Sequence, residues 1–136
     1  MPAAKKKGKI LIVDDDQELV RLMSELLRDA GYRVESETRS LRVYDKAKET
    51  QPDLVLLDIM MPFLDGWDEL KLFSLDDELR RLPVIVVTAD RDAFKGIDAK
   101  KYGVIDQVFK PFELNDLLQR VERALASMEQ RSLSSS

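Results

Sequence analysis

Four runs of branched apolar residues, Ile10 to Val13, Leu54 to Leu57, Val84 to Val87 and the shorter Val108 with Phe109, constrain the fold more than anything else in the chain. Their apolar character is nearly continuous, where a strand with one wet face would alternate, so each is expected to be a strand covered on both sides, the condition of a parallel sheet. Tyr32 to Glu35 is more polar and fits an edge strand. Helical spacing separates the runs. It is clearest at Leu19, Val20, Met23, Leu26, Leu27 and Ala30, with Asp16 as N-cap and Gly31 as stop. A second stripe, Leu114, Leu117, Leu118, Val121, Leu125 and Met128, begins just after Pro111. Sparser patterns near 40–49, 67–73 and 91–102 are read as helices partly because alternation demands them. Strand and helix alternating five times specify right-handed crossovers, hence a doubly wound α/β fold with helices on both faces.

The 136 residues, 44% apolar and 35% charged, suffice for one core and not for two. A single domain over 9–130 is expected, between a basic N-terminal tail at 1–8 and a Ser-rich tail at 131–136. The net charge of -4 opposes nucleic-acid phosphate, and the run Lys5, Lys6, Lys7 and Lys9 lacks interleaved aromatics, so no nucleic-acid role is assigned. Without cysteine there is no disulfide or thiolate chemistry, and without histidine no phosphohistidine can form on this chain. No apolar run approaches the roughly 20 residues of a membrane span, which makes the cytoplasm the expected location.

In an open parallel sheet, ligands bind beyond the carboxyl ends of the strands. Here the first run ends in Asp14, Asp15 and Asp16, the Leu54 run in Asp58, the Val84 run in Thr88, and the last in Lys110 and Pro111. Converging carboxylates repel unless protonated or bridged by a hard cation, and Mg²⁺ suits a pocket with open coordination positions. Asp15 and Asp58 are expected ligands, with the Met60 carbonyl completing the shell. A carboxylate attacks phosphorus without a general base, so Asp58 is the candidate nucleophile. Mg²⁺, the Lys110 ammonium and the Thr88 hydroxyl would neutralise the phosphoryl oxygens.

Asp14-Asp15 after a strand, Asp58 leading through Met60-Met61-Pro62 to Asp65-Gly66, Val87-Thr88-Ala89 and Lys110-Pro111-Phe112 together resemble the response-regulator receiver family, over roughly residues 9–130. The resemblance implies a CheY-like, flavodoxin-like sheet of five parallel strands in the order 2-1-3-4-5. It implies phosphorylation at Asp58, Mg²⁺ held by Asp14 and Asp15, Thr88 as switch hydroxyl and Lys110 as the phosphoryl-contacting cation. The implied partners are a sensor histidine kinase or histidine phosphotransfer protein as donor and a downstream protein as listener, with homodimerisation on phosphorylation. By the same comparison the domain is no general enzyme: it catalyses only its own phosphorylation and dephosphorylation.

Gln107 stands where such receivers usually carry Tyr or Phe, Phe63 where Gly is common, and Thr38 to Lys48 lacks the usual small-residue pattern. These departures motivate an alternative, a degenerate receiver acting as a constitutive protein-binding module. A haloacid-dehalogenase-like phosphatase needs a second Asp two residues after the nucleophile, where Met60 sits. The acidic loop after the first strand also excludes a nucleotide or flavin site. Trp67 is assigned to packing.

Overall fold

The computed structural model describes residues 8–62 and 65–134. Residues 1–7 of the expected basic tail, the Phe63 departure, and 135–136 lie outside the described residues.

Five strands, β1 (Lys9–Val13), β2 (Arg33–Glu37), β3 (Leu54–Leu57), β4 (Val84–Thr88) and β5 (Val104–Phe109), form one sheet in the order β2-β1-β3-β4-β5. Every pairing is parallel. Alternation along the strands divides two cores. Leu11, Val13, Val55, Leu57, Val84 and Val86 point to one face, against helices α2 (Val43–Thr50) and α3 (Gly66–Leu75). Ile10, Ile12, Leu54, Leu56, Ile85 and Val87 point to the other, against α1 (Gln17–Asp29) and α4 (Leu114–Ser134). Both faces are dry, which is why these runs carry no polar alternation. Among the described residues, no helix is long and apolar enough to cross a membrane.

Local chemistry sets the helix ends. Asp16 caps α1, its carboxylate accepting the Leu19 N–H at 3.1 Å. Asp65 caps α3 by accepting the Trp67 N–H at 3.0 Å. Gly66 is required by space. A Cβ there would lie 2.4 Å from the Ile59 Cβ and 2.6 Å from its Cα, so only glycine lets α3 start against the segment that follows Asp58.

The helix expected over 91–102 is absent. Residues 91–96 form turns, followed by a 3-10 turn at Ala99–Tyr102. Asp90 competes for local backbone, accepting the Asp92 N–H at 2.9 Å, and Gly96 adopts φ +74°, two features that end helices. The segment is held instead by side-chain packing: Trp67 meets Phe94 edge-on at 5.4 Å and Tyr102 at 6.2 Å. β5 begins earlier than expected, because its exposed Ile105 and Gln107 belong to a sheet edge and hide the strand pattern.

Candidate functional site

The site follows from strand register. Val13 of β1 pairs with Leu57 of β3, and the Asp58 N–H donates to the Val13 carbonyl at 2.9 Å. Asp14 and Asp58, one residue beyond each strand, are therefore forced side by side at the carboxyl edge of the sheet. Both are buried, at 1% and 5% exposure, while Asp15 is exposed. Carboxylate oxygens of the three lie within 4.8 Å of one another, an arrangement able to hold a metal ion. The donor set consists of hard oxygens, and its exposed member opens the cluster to solvent.

On the other side of β3, Thr88 closes β4 and pairs with Phe109, the residue before Lys110. That register delivers the Lys110 ammonium to the acidic cluster. Its Nζ donates to Asp14 Oδ2 at 2.7 Å and to Asp58 Oδ2 at 3.0 Å. The other Asp58 oxygen accepts the Met60 N–H at 2.9 Å, so both carboxylate oxygens are oriented before any ligand arrives. Asp14 Oδ1 accepts the Asp16 N–H at 3.0 Å. The Lys110–Pro111 peptide bond is cis.

Three carboxylates face one ammonium. Burial raises the pKa of Asp14; the Lys110 hydrogen bond, the Asp16 N–H and the Lys110 charge offset this only in part, and Asp58 adds repulsion. For Lys110 burial acts downward, yet the hydrogen bonds and charges of Asp14 and Asp58 prevail and hold the ammonium above its ordinary pKa.

Thr88 is fully buried, and its hydroxyl oxygen accepts the Asp90 N–H at 3.2 Å. The hydroxyl proton has no acceptor among the described residues. Met60 is exposed next to Asp58. Gln107 is exposed on β5, and the aromatic ring nearest Lys110 in the chain is Phe109, with the Arg91 guanidinium 5.0 Å from its centroid. Trp67 packs against aromatic neighbours, the role given to it from sequence.

A family model described as the response regulator receiver domain matches residues 10–122. The chain belongs to this family. Receiver domains are signalling modules of two-component systems, and this one is 31% identical over 125 residues to the response regulator ArlR of Staphylococcus aureus, covering 92% of the chain and 56% of that relative. The chain thus spans about half the length of the curated relatives it matches. Among solved structures, the receiver domain is similar to a CheY-like receiver domain protein of Methanospirillum hungatei JF-1, with TM-score 0.78 and 34% identity over 91% of this chain and 98% of the other. It is also similar to the chemotaxis protein CheY4 of Vibrio cholerae, with TM-score 0.77 and 28% identity over 85% and 97% of the two chains.

Two features of the receiver site escaped sequence reasoning. One is the pair of hydrogen bonds tying Lys110 to Asp14 as well as Asp58, a contact across 96 residues with no local signal. The other is the Gly66 close approach, whose only sequence mark is a glycine directly after the capping Asp65.

Proposed function

We propose that the chain is a phosphoacceptor receiver, with Asp58 as the residue modified, and that 9–130 is the working unit. The observation that carries this reading is the Asp58 carboxylate, buried yet oriented by the Met60 N–H and the Lys110 ammonium, inside a cluster of three acids whose oxygens lie within 4.8 Å. Asp14, Asp15 and Asp58, with the Met60 carbonyl, supply oxygen donors of the kind Mg²⁺ prefers. Bound there, Mg²⁺ would neutralise charge on phosphoryl oxygens and relieve the repulsion among the acids.

The donor is a phosphohistidine on a sensor histidine kinase or a histidine phosphotransfer protein, since this chain has no histidine of its own. An Asp58 oxygen attacks phosphorus, the P–N bond breaks, and its electron pair returns to the partner's imidazole, which takes a proton from water. Lys110, already hydrogen-bonded to Asp58, lies beside the incoming oxygens, and the unused Thr88 hydroxyl proton is available to one of them. Later a water attacks phosphorus, the bond to Asp58 breaks, and inorganic phosphate leaves; the only reaction catalysed is on the domain itself.

The new charge draws Lys110 and Thr88 toward the phosphoryl group and shifts an equilibrium between two arrangements of the surface around β4 and β5. The output is binding of a downstream protein or of a second copy, in the cytoplasm. The test incubates wild type and Asp58→Asn with Mg²⁺ and an acyl phosphate and reads intact mass. A phosphoryl adduct on wild type alone is expected; equal labelling of both overturns the assignment.

A further inference from the structure

The edge of the sheet opposite Asp58 carries a second feature that phosphoryl chemistry does not use. Three cavities of about 400, 380 and 660 Å³ lie along it, and all three share Pro83 and Met128 in their walls. Pro83 immediately precedes β4, Val104 opens β5, and Met128 lies toward the end of α4, so the cavities form one trough under the amino-terminal ends of these strands. Its floor is apolar, and Ile105, which lines two of the three sections, is 46% exposed.

The rim is cationic. Arg80, Arg81, Lys100 and Arg123 line the cavities, are all exposed, and make no side-chain hydrogen bond or ion pair among the described residues. The acids nearby are already engaged. Asp106 pairs with Arg120 at 2.7 Å, Glu78 with Lys48 at 3.5 Å, and Asp53 accepts the Lys9 N–H at 2.8 Å. A chain of net charge -4 thus places Arg80, Arg81, Lys100 and Arg123 around one apolar trough, none of them ion-paired among the described residues, alongside the acids Asp53, Glu78 and Asp106.

We propose that this trough docks an acidic amphipathic segment of a protein partner, with apolar side chains on Pro83, Ile105 and Met128 and Asp or Glu carboxylates reaching Arg80, Arg81, Lys100 and Arg123. Charge complementarity selects the acidic flanks, and the apolar floor favours a peptide over a nucleic-acid backbone, which would leave Ile105 uncovered. The site lies at the far edge from the acidic cluster and stands independently of the Asp58 reading.

The experiment titrates the ¹⁵N-labelled full chain with a synthetic helix-forming peptide bearing a Leu stripe flanked by Glu. The same stripe flanked by Lys, and a short DNA duplex, serve as further probes. Shifts confined to the trough, binding weakened by added salt, and a loss of at least about tenfold in affinity for Arg81→Glu/Arg123→Glu are expected, since two attractions become repulsions. Phosphoryl uptake by that double variant should match wild type, which shows the fold intact and separates failure here from failure at Asp58. Equal binding of the Lys-flanked peptide, tighter binding of DNA, shifts located elsewhere, or no binding of the Glu-flanked peptide overturns the proposal.

Discussion

Replacing Asp15 with Asn should stabilise the metal-free protein and remove most of its response to Mg²⁺. Asp15 is the exposed acid of the cluster and accepts no hydrogen bond among the described residues, so the substitution strands no buried partner. Its oxygens lie within 4.8 Å of both Asp14 and Asp58. At that separation in a water-like dielectric, each like-charge pair is unfavourable by about 0.9 kcal/mol, so two such terms vanish. Loss of attraction to Lys110, which donates to Asp14 and Asp58 and not to Asp15, offsets part of that gain. The net expectation is about 1 kcal/mol of added stability, a rise of about 3 °C in Tm. Mg²⁺ at ten times its dissociation constant would stabilise wild type by about 1.4 kcal/mol and the variant by much less, which reverses or erases the difference. Urea unfolding followed by the single Trp67, in EDTA and then in Mg²⁺, measures both terms. A variant less stable than wild type in EDTA, or one that keeps the full Mg²⁺ increment, refutes the electrostatic reasoning.

Three further outcomes test the surrounding structure. Gly66→Ala should lose about 1–3 kcal/mol in urea unfolding, because the new methyl meets the backbone of Ile59 and α3 must retreat. Glu69 is buried with Oε1 unpartnered, and burial, reinforced by Asp45, raises its pKa. Wild type should therefore lose stability as pH rises from the unfolded carboxyl value through the raised folded one. Glu69→Gln should remove that slope and unfold about 1 kcal/mol later at pH 7, checked by urea curves across pH. The Tyr44 hydroxyl and Lys48 hold Asp76 down to about 2, so its stabilising contribution is present above the ordinary carboxyl range and is lost as pH falls through that value. Tyr44→Phe should move the Asp76 titration upward, as followed by carboxyl NMR.

The parts of the fold readable from sequence are those where burial on both faces leaves a continuous apolar run, as in β1, β3 and β4. β2 extends to a buried, ion-paired Glu37, which no hydrophobic pattern announces. β5 is an edge strand whose middle, Ile105 to Gln107, is largely exposed and reads as loop. The helix expected at 91–102 rested partly on alternation, beside a sparse apolar pattern, and turn-forming Asp90 and Gly96 prevailed. At the site, Asp14, Asp58, Thr88 and Lys110 were legible because each ends a strand or directly follows one, and parallel register places strand ends at one edge. The bond from Lys110 to Asp14 was not legible, because it depends on distances set by the whole sheet.

The most direct measurement is reductive trapping. Protein treated with an acyl phosphate is quenched with borohydride, which converts an aspartyl phosphate to homoserine, and peptides are sequenced by mass spectrometry. Homoserine at position 58, formed with Mg²⁺ and absent in EDTA, is the expected result; homoserine at 14 or 15, or equal conversion at 58 without metal, contradicts the account.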